Sequence, residues 1–407
     1  MTSTDDHAVF FNPLEPGYIE DPYPHVAAIR AADPVHWTLV ERWALFRYDD
    51  VFRLLRDPDL SVDDAKAAPD GRDTLFETIA ADEGVELVPS TSILGVDPPD
   101  HTRLRRLISK AFTPHTIEAL RPHVEQLVDE ALDRLEAAGG GDVVAELAFP
   151  LPFDVISAML GMPDADKDII RGWSEALVKT LDPIIDESEV RAALRAGKAM
   201  DAHIDGVVEW KRANPADDIL TKMIEAEEDG DRLSAKELRD QVVLLFVAGH
   251  ETTVNLIGTG IYELLRHPDQ LQCLLDDPSL TANAIDELLR YVSPVQMSRR
   301  IATRDLEFGG RTIPSGSFVM AMLASANHDP EKFGPTADEL DIRREGAGQH
   351  VAFGTGTHYS RGASLAKLEA QVAIGSYVRR FPRAQVVDAA FNGRLNLRGH
   401  EKLTVEL

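Results

Sequence analysis

The segment Ser234 to Arg266 constrains the fold more than any other part of the chain. Its apolar residues recur with the period of a helix, Ser234 with Glu237 three positions later forms a capping-box start, and Pro268 stops the run after His267. At 1.5 Å per residue this predicts a helix about 50 Å long, enough to cross a whole domain. Near its middle stands Ala248-Gly249-His250-Glu251-Thr252-Thr253. Glycine lowers helix propensity and threonine hydroxyls bond back to i−4 carbonyls, so this stretch is expected to weaken the backbone ladder and open a polar notch in a dry wall. The longest apolar run, Val242 to Gly249, is about half the roughly 18 residues that a membrane span needs. The expectation is a buried helix and no membrane anchor.

The same helical period marks Ile117 to Ala137, Asp154 to Leu160, Lys167 to Leu181, Glu189 to Arg212, Thr281 to Tyr291 and Ala363 to Phe381. Strand signals are short and confined to Val35 to Arg47, Ile301 to Val319 and the tail Leu395 to Leu407. Gly139-Gly140-Gly141 reads as a helix terminator, and no repeat or long linker divides the chain. The pattern predicts one mainly α domain over residues 1–407, with small β-sheets at its periphery.

Cys273 is the only cysteine, which excludes an intramolecular disulfide framework and any multi-cysteine zinc or iron–sulfur site. A net charge of −27 repels polyanions, so nucleic acid is not an expected partner. The polar, acidic Met1 to Phe10 does not read as a secretory signal, and a cytoplasmic protein is the expectation.

Two further motifs follow the long helix. Glu287 and Arg290 lie at i,i+3 on one helical face, where they can pair. Phe353-Gly354-Thr355-Gly356-Thr357-His358-Tyr359-Ser360-Arg361-Gly362 is a glycine-rich loop opening directly into a helix, where backbone N–H groups are presented at the helix N-terminus. Taken in this order, the motifs resemble the bacterial cytochrome P450 family. Phe11-Asn12-Pro13, Asp21-Pro22-Tyr23-Pro24, Asp97 to Arg106, and Ala326 to Pro330 with Phe333 and Arg343 are similar to that family as well, so the likeness spans nearly the whole chain.

The resemblance implies the cytochrome P450 fold with haem b between the long helix and the glycine-rich loop. It assigns His101, Arg105, Arg300 and His358 to the haem propionates; the i,i+4 spacing of His101 and Arg105 suits one anionic target. Ala248, Gly249, Phe353, Gly354 and Gly362 fall at positions lining the cofactor, and Glu287 and Arg290 at a structural pair. Glu251 and Thr252 match the acid–alcohol pair that delivers protons during oxygen activation. Val243, Leu244, Val247, Val295, Met297 and Phe391 fall at substrate-pocket positions. The implied activity is monooxygenation of a small apolar organic substrate, using O2 and electrons from NAD(P)H through ferredoxin reductase and ferredoxin. Arg103, Arg106 and Lys110, with Arg361 and Lys367 beside the loop, are the expected ferredoxin face.

One position departs from the family pattern. Ser360 stands where the family has its iron-ligating cysteine. A thiolate pushes electron density onto iron and favours O–O cleavage, whereas a serine oxygen is a harder, less polarisable donor. Three readings are open: a Cys-to-Ser replacement in an oxygenase, with peroxide-driven or carbene- and nitrene-transfer activity in place of hydroxylation; a natural serine-ligated haem protein that binds or senses ligands; and a haem-free interaction module.

Overall fold

A computed structural model describes residues 10–69, 71–109, 112–163, 167–228 and 231–407. Helices dominate. The long one runs unbroken from Ala235 to Arg266, about 48 Å by its rise per residue. Ser234 accepts the Glu237 N–H, and the Glu237 side chain accepts the Ser234 N–H, so the capping box is formed as its spacing predicts. Among the described residues this is the one helix long and apolar enough to span a membrane, yet most of it is buried inside the protein. It packs on the helices Pro150–Leu160, Glu187–Ala213, Thr281–Val292 and Ala363–Arg380. The main core lies among these elements and Arg121–Ala138, with Leu132, Leu147, Phe246, Ile257, Ile261 and Ile374 almost fully buried.

Gly249 and Gly258 let neighbours approach the long helix closely. A Cβ on Gly249 would stand 3.1 Å from Ile156 Cγ1, and one on Gly258 would stand 3.3 Å from Val144 Cγ2. The glycine in the notch therefore serves helix packing on one side while the notch faces the other.

The sheets are small and peripheral. Val35–Trp37, Trp43–Leu45, Phe318–Ala321 and Ser298–Ile301 form a four-stranded sheet in that order, its Trp43–Leu45 and Phe318–Ala321 pair parallel. Gln385–Phe391, His400–Glu406 and Gly140–Asp142 form a three-stranded antiparallel sheet. Between the first two of these strands a turn, Asn392 to Gly399, presses onto the long helix: a Cβ on Gly399 would stand 2.2 Å from Asn255 Oδ1.

Candidate functional site

Three structural units meet at the site. The first is the notch. Leu244, Ala248 and Thr252 follow each other at i, i+4, i+8, one line along the helix. Ala248 is exposed at the centre of this otherwise buried helix, and Val243, Leu244 and Thr252 are half-buried, so this line faces open space. Thr252 Oγ1 donates to the Ala248 carbonyl at 3.2 Å, the back-bond expected of threonine, and the helix runs through without a break.

The second unit is the loop. Its base is fixed by the Val351 N–H, which donates to Asn327 Oδ1 at 2.8 Å, and its return by the Ser360 N–H, which donates to the Phe353 carbonyl at 3.1 Å. Gly354 and Gly356 have φ of +66° and +70°, and a Cβ on Gly356 would stand 2.8 Å from the Leu55 carbonyl, so a side chain there is excluded twice over. Ser360 is half-buried two residues ahead of Gly362, which caps the helix Ala363–Arg380. Phe353 packs on the main core beside the His350 ring, 5.6 Å between centroids.

The third unit is a set of basic side chains. The His101 and His358 rings lie 4.3 Å apart, and Arg105 Nη2 donates to the Tyr359 carbonyl at 2.7 Å. Arg300, on the edge of the four-stranded sheet, is almost fully buried. Burial, which the charge of Asp97 offsets only in part, pushes Arg300 down to about 10. Burial, then the charges of Arg300 and His101, pushes His358 down to about 3. His101 is lowered by burial and by Arg105, and both of its ring nitrogens are buried without a hydrogen-bond partner. The one acid near the set, Asp97, is already engaged by Lys66 Nζ at 2.8 Å, the Val62 N–H at 2.9 Å and Ser61 Oγ. A buried arginine and orphaned imidazole nitrogens with no counterion are costly unless an anion joins them. A dicarboxylate fits that need, and haem b is one through its two propionates.

A buried ion network holds the loop from behind. Glu287 and Arg290 are fully buried and pair through both carboxylate oxygens, at 2.7 and 2.8 Å. Arg344 Nε joins at 3.1 Å and the Asp341 N–H at 3.0 Å. The third member is thus Arg344; Arg343, its neighbour matched in the sequence, is exposed. Arg290 also donates to the Asn327 carbonyl at 2.8 Å, and Asn327 holds the base of the loop.

With this geometry in view, likeness to known proteins decides the family. The model of the family described as Cytochrome P450 matches residues 87–277 and 270–385. The chain belongs to the cytochrome P450 family. It is 43% identical over 377 residues to cytochrome P450 107B1 of Saccharopolyspora erythraea, covering 90% of this chain and 89% of that one. It is 40% identical over 379 residues to the vitamin D(3) 25-hydroxylase of Pseudonocardia autotrophica, covering 92% and 89%. The solved structure of the bacillaene polyketide synthase cytochrome P450 PksS of Bacillus subtilis superposes with a TM-score of 0.86 at 34% identity, covering 98% of this chain and all of that one. The protein is an oxidoreductase of the P450 type and its cofactor is haem b.

Other expected residues fall in less direct places. Val295 is half-buried and bridges to Leu397, while Val247 is buried in the main core. Met297 does not line the notch; it is buried in a separate cluster with Phe11, Phe46, Met320 and Leu395. Phe391 does not line it either. Its ring lies 4.1 Å from that of His400, which contacts Thr259 and Tyr262 about three to four turns beyond Ala248. Of the expected ferredoxin face, Arg103 pairs with Glu237 and Lys367 with Asp286, Arg361 is exposed, and Lys110 lies outside the described residues. One partner had no signal in the sequence: Arg394 Nη1 stands 2.7 Å from Glu251 Oε2 across 143 positions of chain.

Proposed function

We propose that residues 1–407 form one oxygenase domain in which Ser360 would hold the iron of haem b, a Cys-to-Ser ligand variant of a monooxygenase. The basic set carries this reading: His101, Arg105, Arg300 and His358 converge with no counterion of their own. Bound there, haem b supplies oxygen activation, driven in the family by the electron push of a thiolate, which a serine oxygen delivers poorly. The chain's residues do the rest. His101, Arg105, Arg300 and His358 would hold the propionates, the Ser360 backbone bond to Phe353 fixes the residue that would meet the iron, and Thr252 presents a hydroxyl to the open side of the notch with Glu251 behind it. Leu244, Val243 and Val295 offer an apolar wall to a small apolar organic substrate. The name of the vitamin D(3) 25-hydroxylase, a hydroxylase of an organic small molecule, supports this reading.

Electrons reach the site in this reading from NAD(P)H through ferredoxin reductase and ferredoxin, with Arg361 beside the loop as the nearest basic docking point. The cytoplasm, where those carriers work, is the proposed location. The test supplies both carriers, O2 and an apolar substrate panel to the protein and to Ser360→Cys. The serine form should give little hydroxylated product and the cysteine form should give it readily. Spectral shifts on ligand addition with no product from either form would overturn the oxygenase reading in favour of a ligand-binding or sensor protein.

A further inference from the structure

Gln241 is a fully buried amide on the long helix, upstream of the notch. Such a group is costly in a core unless both of its ends find partners. Here one distant segment supplies both. Gln241 Nε2 donates to the Thr91 carbonyl at 2.8 Å and its Oε1 accepts the Ile93 N–H at 3.1 Å, two backbone groups that a neighbouring strand would otherwise have to satisfy. Asp240 reinforces the pair: its Oδ2 accepts the Thr91 N–H and the Thr91 hydroxyl, both at 2.8 Å. Lys236 Nζ, 2.6 Å from the same oxygen, donates to the Pro89 carbonyl at 2.8 Å. Pro89, Thr91 and Ile93 are thus clamped to little more than one turn of the helix. Gln241, Leu244 and Ala248 follow at i, i+3, i+7, so the clamp lies at the upstream end of the notch line. A turn closed by the Gly95 N–H on the Ser92 carbonyl at 3.0 Å then leaves Leu94 exposed, while Ile93 packs on the main core. Shortly after it the chain enters the helix Asp100–Ser109, which carries His101 and Arg105. Leu94 therefore stands on the path between the clamp and the basic set.

We propose that Gln241 is a positioning residue for substrate selection: its amide fixes Ser92 to Leu94 as an end wall of the notch and so limits the length of apolar molecule that the notch accepts. The inference rests on the notch being the ligand site of the proposed oxygenase. The line from Leu244 to Thr252 is about 12 Å by helical rise. A ligand longer than this line meets Leu94 unless the segment lifts. Lifting it strands the Gln241 amide in the core without partners, and the wall holds for that reason.

The test measures binding without turnover. Equilibrium dialysis of the haem-loaded protein gives dissociation constants for cyclohexanol, shorter than the line, and pregnenolone, longer than it. Gln241→Met keeps the length of the side chain and removes both polar ends. Pregnenolone then no longer has to strand a buried amide, so the ratio of the cyclohexanol to the pregnenolone dissociation constant should rise about 5- to 150-fold. Hydrogen–deuterium exchange of the stretch from Thr91 to Gly95 should quicken in the same variant, because the Ile93 N–H has lost its acceptor. Leu256→Ala, a core truncation on the same helix beyond the notch, should lower Tm and leave the ratio where it is. An unchanged ratio or unchanged exchange in Gln241→Met, or a ratio moved as far by Leu256→Ala, would overturn the inference. Dialysis and exchange need neither electrons nor product. A ratio that moves as expected in a protein whose Ser360→Cys form oxygenates nothing would leave the wall standing and sink the oxygenase reading instead.

Discussion

Replacing Glu287 by Gln keeps its volume and removes its charge, leaving Arg290, fully buried, and Arg344, nearly so, without a counterion. Breaking a buried, hydrogen-bonded ion pair costs about 3–5 kcal/mol, because the remaining charge stays out of water. Unfolding entropy of about 2.1 cal/mol/K per residue gives about 0.85 kcal/mol/K for 407 residues, so that loss lowers Tm by about 4–6 °C. Arg344→Ala should sit near the low end of the range, since Glu287 keeps Arg290. Arg343→Ala, exposed and outside the network, should stay within about 0.5 kcal/mol of the parent. Thermal and urea unfolding of the haem-loaded proteins measures all three. A loss below about 1 kcal/mol for Glu287→Gln, the scale of a solvated surface pair, would refute the buried network; equal losses for Arg343→Ala and Arg344→Ala would refute its third member.

Three further outcomes follow from the site. Arg300→Ala removes a buried charge-assisted contact worth about 1.5–3 kcal/mol, so haem affinity should fall about 10- to 150-fold in a haem titration; unchanged affinity would remove Arg300 from the propionate set. His358, held at about 3 in the folded chain against an ordinary 6.5, binds its proton only when unfolded between those values. Haem-free protein should therefore lose stability as pH falls from 6.5 towards 3, and haem should flatten that slope by giving the histidine an anion, measured as Tm against pH with and without haem. Gly356→Ala, with φ of +70° and a Cβ placed 2.8 Å from the Leu55 carbonyl, should cost more than Gly393→Ala, whose φ is +68° but whose Cβ meets nothing within 4 Å. Backbone strain of about 1–3 kcal/mol is common to both, so equal losses in unfolding experiments would mean that the loop does not press on Leu55.

What the sequence made legible was local. The long helix and its cap, the alternation of helix with short edge strands, and the order of the notch, the Glu287 pair and the glycine-rich loop are written in spacing and turn chemistry that neighbouring residues share. Contacts set by tertiary packing were not. Arg344 and Arg343 are adjacent with the same side chain, and only the path of the backbone after Asp341 turns one inward. Arg394 lies in a hairpin turn far along the chain from Glu251, and no periodicity couples such a turn to a helix it folds against. Met297 and Phe391 fall among the expected pocket residues only because the resemblance puts them at pocket positions. Such residues serve a core equally well, as Met297 does beside Phe11 and Leu395.

The absorption spectrum of the reduced, CO-bound protein, set beside that of Ser360→Cys, tests the central claim most directly. Ser360 sits just ahead of the helix Ala363–Arg380, where the N-terminal N–H groups favour an anionic ligand, so a cysteine there should ionise and bind iron. The account predicts one haem per chain in both proteins, a spectrum without thiolate character for the serine form, and a thiolate-type spectrum for Ser360→Cys. A cysteine form that kept the serine-form spectrum, or a chain that took up no haem, would contradict it.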